Sequence, residues 1–235
     1  MTDPASDVTR DDVTRDDVCV AACADAWRGD GAILASPTGA IPRLGARLAQ
    51  LTFAPDLLLT DGEATLEYRG AGEGWLPYRA VFQLVAAGRR HVMMGASQLD
   101  RYGNQNISCV GDWARPHRQL LGVRGAPGNT VNHATSYWVP KHTPRVFVEH
   151  VDMVCGVGYD RPAGPFHELR VVVTDLAVLD FATPDHRMRL RSVHPGVTVD
   201  EVRAATGFDL TVPARVPVTR EPSAAELALI GGLRR

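Results

Sequence analysis

The chain has 235 residues, 45% of them hydrophobic and 22% charged, enough apolar surface for one substantial α/β core without disulfide support. Its formal net charge of −2 supplies no general attraction for nucleic acid or an anionic membrane, and no apolar run approaches the roughly 20 residues that a membrane-spanning helix needs. The N-terminus is acidic where a signal peptide is basic and then apolar, so the expected location is cytoplasmic.

The first segment repeats VTRDD at residues 8–12 and 13–17. Residues 1–13 are too acidic and too poor in apolar groups to offset their ordering entropy, which predicts a disordered tail ahead of one folded domain over 14–235. Thr14 and Asp17 form a capping box with aspartate in place of glutamate; the helix they open runs through Val18, Cys19, Ala22 and Trp27 and stops at Gly29. A strand at 32–36, a helix at 41–53, a strand at 56–60, a helix at 77–87 and a strand at 91–96 follow, then a strand pair at 107–110 and 120–123. This alternation predicts parallel βαβ units, hence an open, mostly parallel α/β sheet with flanking helices. His133 and Tyr137 fall on an expected helix start.

Beyond Pro140 the pattern changes. Strands are expected at 146–150 and 169–179, the second with a turn at Thr174 and Asp175, and a helix at 199–205 is closed by Gly207. Pro222 and Ser223 introduce a terminal helix that docks Leu227 and Ile230 and ends at Gly231 and Gly232. Cys19 and Cys23 share a helix face, while Cys109 and Cys155 lie in apolar runs; a buried reduced thiol is expected at all four. The eight histidines show no HxH or HExxH spacing and the cysteines no CxxC pair, so no metal site is expected.

No Walker loop, GxSxG elbow or GxGxxG turn is present, which removes the common mononucleotide and serine-hydrolase readings. Two glycine-dense stretches remain, GASQLDRYGNQNIS at 95–108 and GVRGAPGNTVNH at 122–133, the second carrying Arg124. Such turns bring backbone N–H groups close to a ligand. Gln98, Asn104 and Asn106 are candidates for ligand contact, although amides in tight turns commonly satisfy their own backbone. Asp61 and Glu63 follow an expected strand, where loops of an open α/β sheet line the ligand crevice; a simple polar turn at Asp61-Gly62 is the alternative. His133 suits a capping or packing role, and Trp113 and Trp138 are expected at a subunit boundary or in the core.

Four segments in this order, the two glycine-dense stretches, HPGVTVDEVRAATGFDL at 194–210 and PSAAELALI at 222–230, resemble the β subunit of class I CoA transferases in the glutaconate CoA-transferase branch. The resemblance spans nearly everything from residue 14 onward. It implies an obligate homologous α subunit, commonly as α2β2, and acyl-CoA substrates, with CoA entering as part of the substrate and no permanently bound cofactor. Transferases of this family attack the thioester with a β-subunit glutamate. The matching segment, residues 60–63, places Asp61 there, or Glu63 if the loop is shifted. Aspartate is one methylene shorter, and a displacement of about 1 Å can cost on the order of a hundredfold in rate.

The family's oxyanion turn falls on residues 122–129, which implies a thioester cradle of Gly122, Gly125, Ala126, Gly128 and Asn129, assisted by Gln98 and Asn104. Arg124 replaces a glycine of that turn with a guanidinium suited to negative charge. Losing the glutamate while gaining the cation resembles the actinobacterial steroid-degradation branch, whose members open the last steroid ring as a CoA thioester. That resemblance implies a working carboxylate on the α subunit, a retro-Claisen cleavage, and an enolate stabilised by Arg124. A transferase using Asp61 or Glu63, and a non-catalytic scaffold subunit, are the competing readings.

Overall fold

Thr14 accepts a hydrogen bond from the Asp17 N–H at 3.2 Å, and the Asp17 carboxylate accepts one from the Thr14 N–H at 2.9 Å. Two otherwise orphaned donors are satisfied at once, and α1 (Arg15–Asp25) begins where the capping box places it. Gly29, at φ 82°, turns the chain out after α1. The computed structural model describes residues 13–60, 65–75, 80, 83, 89–161 and 163–235. Most of the tail, Asp61, Glu63 and nearly all of the helix expected at 77–87 lie outside the described residues.

β1 (Leu34–Pro37), α2 (Ala40–Thr52) and β2 (Leu58–Thr60) form the first crossover, with Leu34 beside Leu58 and Ala35 beside Leu59 in parallel register. α2 crosses α1 at Gly45, where an added Cβ would lie 2.7 Å from the Cys23 Cβ, so only glycine permits this approach. β3 (Thr65–Tyr68) and β4 (Ala71–Trp75) make an edge hairpin that the sequence did not announce. Every residue of β4 is exposed, so no apolar alternation marks it.

β5 (Arg90–Gly95) returns beside β1. The chain then leaves the sheet through two short hairpins, β6 (Gln98–Leu99) with β7 (Gln105–Asn106) and β8 (Cys109–Val110) with β9 (Arg118–Gln119). Residues 120–123, expected as a strand, are not one. α3 (Ala126–Asn132) leads into β10 (Ala134–Val139), the largest departure from expectation: Tyr137 lies in the middle of a strand rather than on a helix. All six β10 residues are buried, so the strand lacks the alternation that would have revealed it. Residues 146–150 are not a strand either; Phe147 makes a single bridge to Leu99.

β11 (Glu168–Thr174) and β12 (Ala177–Asp180) reproduce the expected hairpin, and β13 (Arg189–Val193) adds an unforeseen edge strand. α4 (Val199–Ala204) and α5 (Ala224–Leu233) complete the chain, each opened by a capping box. Gly207 does not close α4 through a left-handed turn; a methyl there would collide with the Phe147 carbonyl, to which the Gly207 N–H donates at 2.8 Å. Gly231 and Gly232 lie inside α5 rather than ending it.

Among the described residues the main sheet has nine strands in the order β13-β12-β11-β10-β5-β1-β2-β3-β4. Its five central strands are parallel, and an antiparallel hairpin sits at each edge. One face packs Trp27, Leu48, Met93, Trp138 and Ile230 under α1, α2 and α5. The other packs Met94, Tyr137, Val172 and Leu179 against Leu99, Phe147 and Phe208 from the loops and α4 region. A fully buried side chain of this size contributes about 2 kcal/mol. All four cysteines are buried and unpaired. Among the described residues no helix is long and apolar enough to cross a membrane.

Candidate functional site

The 95–108 stretch folds as a latch between the sheet and the segment around residue 158. Asp100 Oδ1 accepts from the Tyr102 and Asn104 N–H groups, both at 3.0 Å, and Oδ2 accepts from Asn104 Nδ2 at 2.8 Å. Asn104 also donates to Asp160 at 2.8 Å, and its Oδ1 accepts from Gly158 N–H at 2.8 Å and Arg161 Nε at 3.2 Å. Gln98 donates to Asp152 at 3.0 Å while its Oε1 accepts from Asn106 Nδ2 at 2.7 Å and Asp152 N–H at 3.0 Å. Gln98 and Asn104, expected to contact ligand, thus have their amide groups engaged inside the chain and frame the loop. In the same stretch the buried Gln105 Oε1 has no hydrogen-bond partner among the described residues. Burial pushes the Asp100 carboxyl above its ordinary range despite the three bonds it accepts.

The 122–129 stretch is built differently. Gly122 sits at φ 85°, and Arg124, which has a Cβ, is held at φ 47°. For an L-residue that conformation costs roughly 1–2 kcal/mol, and such strain collects at functional sites. Arg124 is exposed and makes no hydrogen bond or ion pair among the described residues. Gly125 caps α3, Ala126 is buried behind it, and a methyl on Gly122 or Gly128 would meet nothing within 4 Å, which leaves the outer side of the turn open. Asn129 faces inward: its Oδ1 accepts from Arg90 Nη1 at 2.7 Å, and its Nδ2 lies 3.1 Å from Met94 Sδ.

Arg90 is not among the expected site residues, because it lies just ahead of the strand expected at 91–96. An arginine at the head of the apolar run HVMMG was the available signal. Its Nε donates to Ser36 Oγ at 2.8 Å, and among the described residues it has no carboxylate partner. Burial lowers its pKa to about 10. His133 closes α3, its N–H donating to the Asn129 carbonyl at 3.0 Å, and its ring is buried with no hydrogen-bond partner at Nε2 among the described residues. The register that sets Ala134 beside His91 brings His133 next to Arg90. Burial first, and the Arg90 charge second, pull the His133 pKa down to about 4. Of the two tryptophans that flank this region in sequence, Trp138 is in the core and Trp113 is exposed.

A second polar cluster joins His91 Nδ1 to Asp30 Oδ2 at 2.7 Å and His91 Nε2 to Ser136 Oγ at 2.9 Å, with Arg170 paired to Asp30. The order Asp, His, Ser invites a nucleophile reading. His91 and Ser136 have no exposed surface, however, so nothing can reach the hydroxyl, and the cluster ties β5, β10 and β11 together. Burial outweighs Asp30 in keeping His91 neutral, and although burial opposes it, His91 and Arg170 hold the Asp30 carboxyl below its usual range.

Two open cavities, about 650 Å³ beside Arg170 and Tyr159 and about 550 Å³ between Arg15, Ile41 and Trp138, are lined by no residue of the 122–129 turn. That turn therefore stands outside both cavities as an exposed cationic head on a half-buried polar base.

The family described as coenzyme A transferase matches residues 80–205. Over 98% of this chain and 94% of that protein, the sequence is 54% identical to the cholesterol ring-cleaving hydrolase IpdB subunit of Rhodococcus jostii. The crystal structure of IpdAB from Rhodococcus jostii superposes with a TM-score of 0.89 at 54% identity, covering 93% of each chain. Glutaconate coenzyme A-transferase from Acidaminococcus fermentans superposes with a TM-score of 0.82 over 93% of this chain and 94% of that one; at 23% identity it shows the fold alone.

Proposed function

The chain belongs to the coenzyme A transferase family, and from that membership we propose that it is the β-type subunit of a hydrolase that opens the last ring of a steroid-derived cyclic acyl-CoA. The observation that carries this reading is likeness along the whole chain to a ring-cleaving hydrolase subunit. The exposed, strained Arg124 supplies the chemical sense. A homologous α subunit completes the enzyme, as α2β2 in the cytoplasm, and CoA enters with the substrate.

In the reaction, a carboxylate on the α subunit takes a proton from water as its oxygen adds to a ring ketone. The adjacent C–C bond then breaks, one carbon becoming a carboxylate while the electron pair passes to the carbon α to the thioester. The α-subunit carboxylic acid then returns its proton to the enolate carbon, which regenerates the carboxylate. Arg124 donates to the enolate oxygen, a charge that develops only along the reaction, and Gly122, Gly125, Ala126, Gly128 and Asn129 shape the turn that presents it. Asp61 and Glu63 have no covalent role in this scheme.

Purified α and β chains mixed with the ring thioester test it. Loss of the enone absorbance without any acceptor acid is the expected result. A strict requirement for an acceptor, with hydroxylamine-sensitive CoA bound to this chain at Asp61 or Glu63, would establish a transferase instead.

A further inference from the structure

The geometry points to Arg90 as a positioning residue that sets Arg124 through Asn129, a role that rests on the hydrolase reading above. Three strands of observation meet at this side chain. First, its guanidinium spans three elements: it starts on β5, donates to Ser36 of β1 at 2.8 Å, and donates to Asn129 of α3 at 2.7 Å. Asn129 in turn donates its backbone N–H to the Gly125 carbonyl at 2.9 Å, and Gly125 is the residue after Arg124. A continuous path of hydrogen bonds therefore runs from the sheet to the neighbour of the strained residue.

Second, Arg90 is half-buried, on the same face of β5 as Val92 and Met94, without a carboxylate partner among the described residues, and its titratable neighbour His133 is held neutral. A cation in such surroundings is unfavourable for folding alone; a leucine or glutamine would be easier to accommodate. What the guanidinium adds is a rigid two-pronged fork that fixes two acceptors at once. Third, Arg124 at φ 47° relaxes to an ordinary backbone conformation unless its surroundings hold it, and among the described residues the side-chain contacts that tie residues 122–129 to the sheet converge on Asn129: its amide meets Arg90 and Met94, and its backbone carbonyl accepts from Thr135 Oγ1 at 3.4 Å.

A double-mutant cycle in the assembled α/β complex, with the ring thioester as substrate, tests this. Arg90→Gln is expected to lower kcat about 10- to 100-fold, as misplacement of a charge by about 1 Å does, while the complex still assembles. In an Arg124→Ala background the same change is expected to add less than about twofold, because the group it positions is gone. Arg90→Lys keeps one donor and is expected to recover part of the loss. If Arg90→Gln does not fold, Asn129→Ala removes the same link and must give the same pattern. Losses that multiply in the double variant, or an undiminished kcat in Arg90→Gln, would overturn the positioning role. If Arg124→Ala alone leaves kcat intact, the hydrolase reading of Arg124 fails first and takes this role with it, an outcome distinct from multiplying losses.

Discussion

The two glycine-dense stretches at 95–108 and 122–129 look alike in sequence and do opposite things with their polar groups. In the first, Gln98, Asp100, Asn104 and Asn106 are buried and bonded to one another and to Asp152, Asp160 and Gly158. In the second, Arg124 is exposed, strained and unpartnered among the described residues, above an Arg90 that has no counter-charge there. Saturated polar groups stabilise a fold and have nothing left to offer a ligand, whereas an unsatisfied cation on a strained turn contributes nothing to folding. Glycine density thus marks places where the backbone comes close to something; the bonding of the intervening side chains decides whether that something is the protein itself.

Substitutions in the two stretches should separate activity from stability. The largest effect is expected for Arg124→Ala, which should lower kcat of the assembled complex by 10²- to 10³-fold, the usual loss for an oxyanion donor. KM should change little, because the enolate charge is absent from the bound substrate. Asn104→Ala should do the reverse. It strands the Gly158 N–H and the Asp100 carboxylate in a buried site and is expected to cost about 3 kcal/mol in urea unfolding, with kcat per folded complex nearly unchanged.

A pH series adds a smaller and signed contrast. Below its ordinary value of 6.5 the unfolded chain protonates His133, while the folded chain resists until about 4, so stability falls as pH drops through that window. Asp100, with a raised pKa, works in the opposite direction and loses stability as pH rises above the ordinary carboxylate range. The stability gap between the wild type and His133→Gln is expected to shrink by about 2 kcal/mol between roughly pH 7 and 5. A gap that stays constant would mean that His133 titrates freely in the folded chain.

How much of this was legible in the sequence depended on whether one residue carried its own signal. Helix starts did: Thr14 with Asp17, and Pro222 with Ser223, name their caps locally. Strands buried on both faces did not. β10, ATSYWV, mixes polar and aromatic residues because Ser136 bonds to His91 and Tyr137 bonds to the Gly103 carbonyl, partners 45 and 34 residues away in the chain. At the site, Arg124 stood out as the cation that interrupts a glycine turn. Arg90 did not, because its meaning comes from β1 and α3 meeting at its guanidinium, a long-range placement that no local pattern encodes.

The claim that Arg124 is held in a strained conformation for catalysis is tested most directly by Arg124→Gly. Glycine adopts φ 47° freely, so the variant complex is expected to unfold at a higher denaturant concentration, by about 1 kcal/mol, while its kcat falls on the order of a hundredfold. A variant with wild-type kcat would contradict the account, whatever its stability.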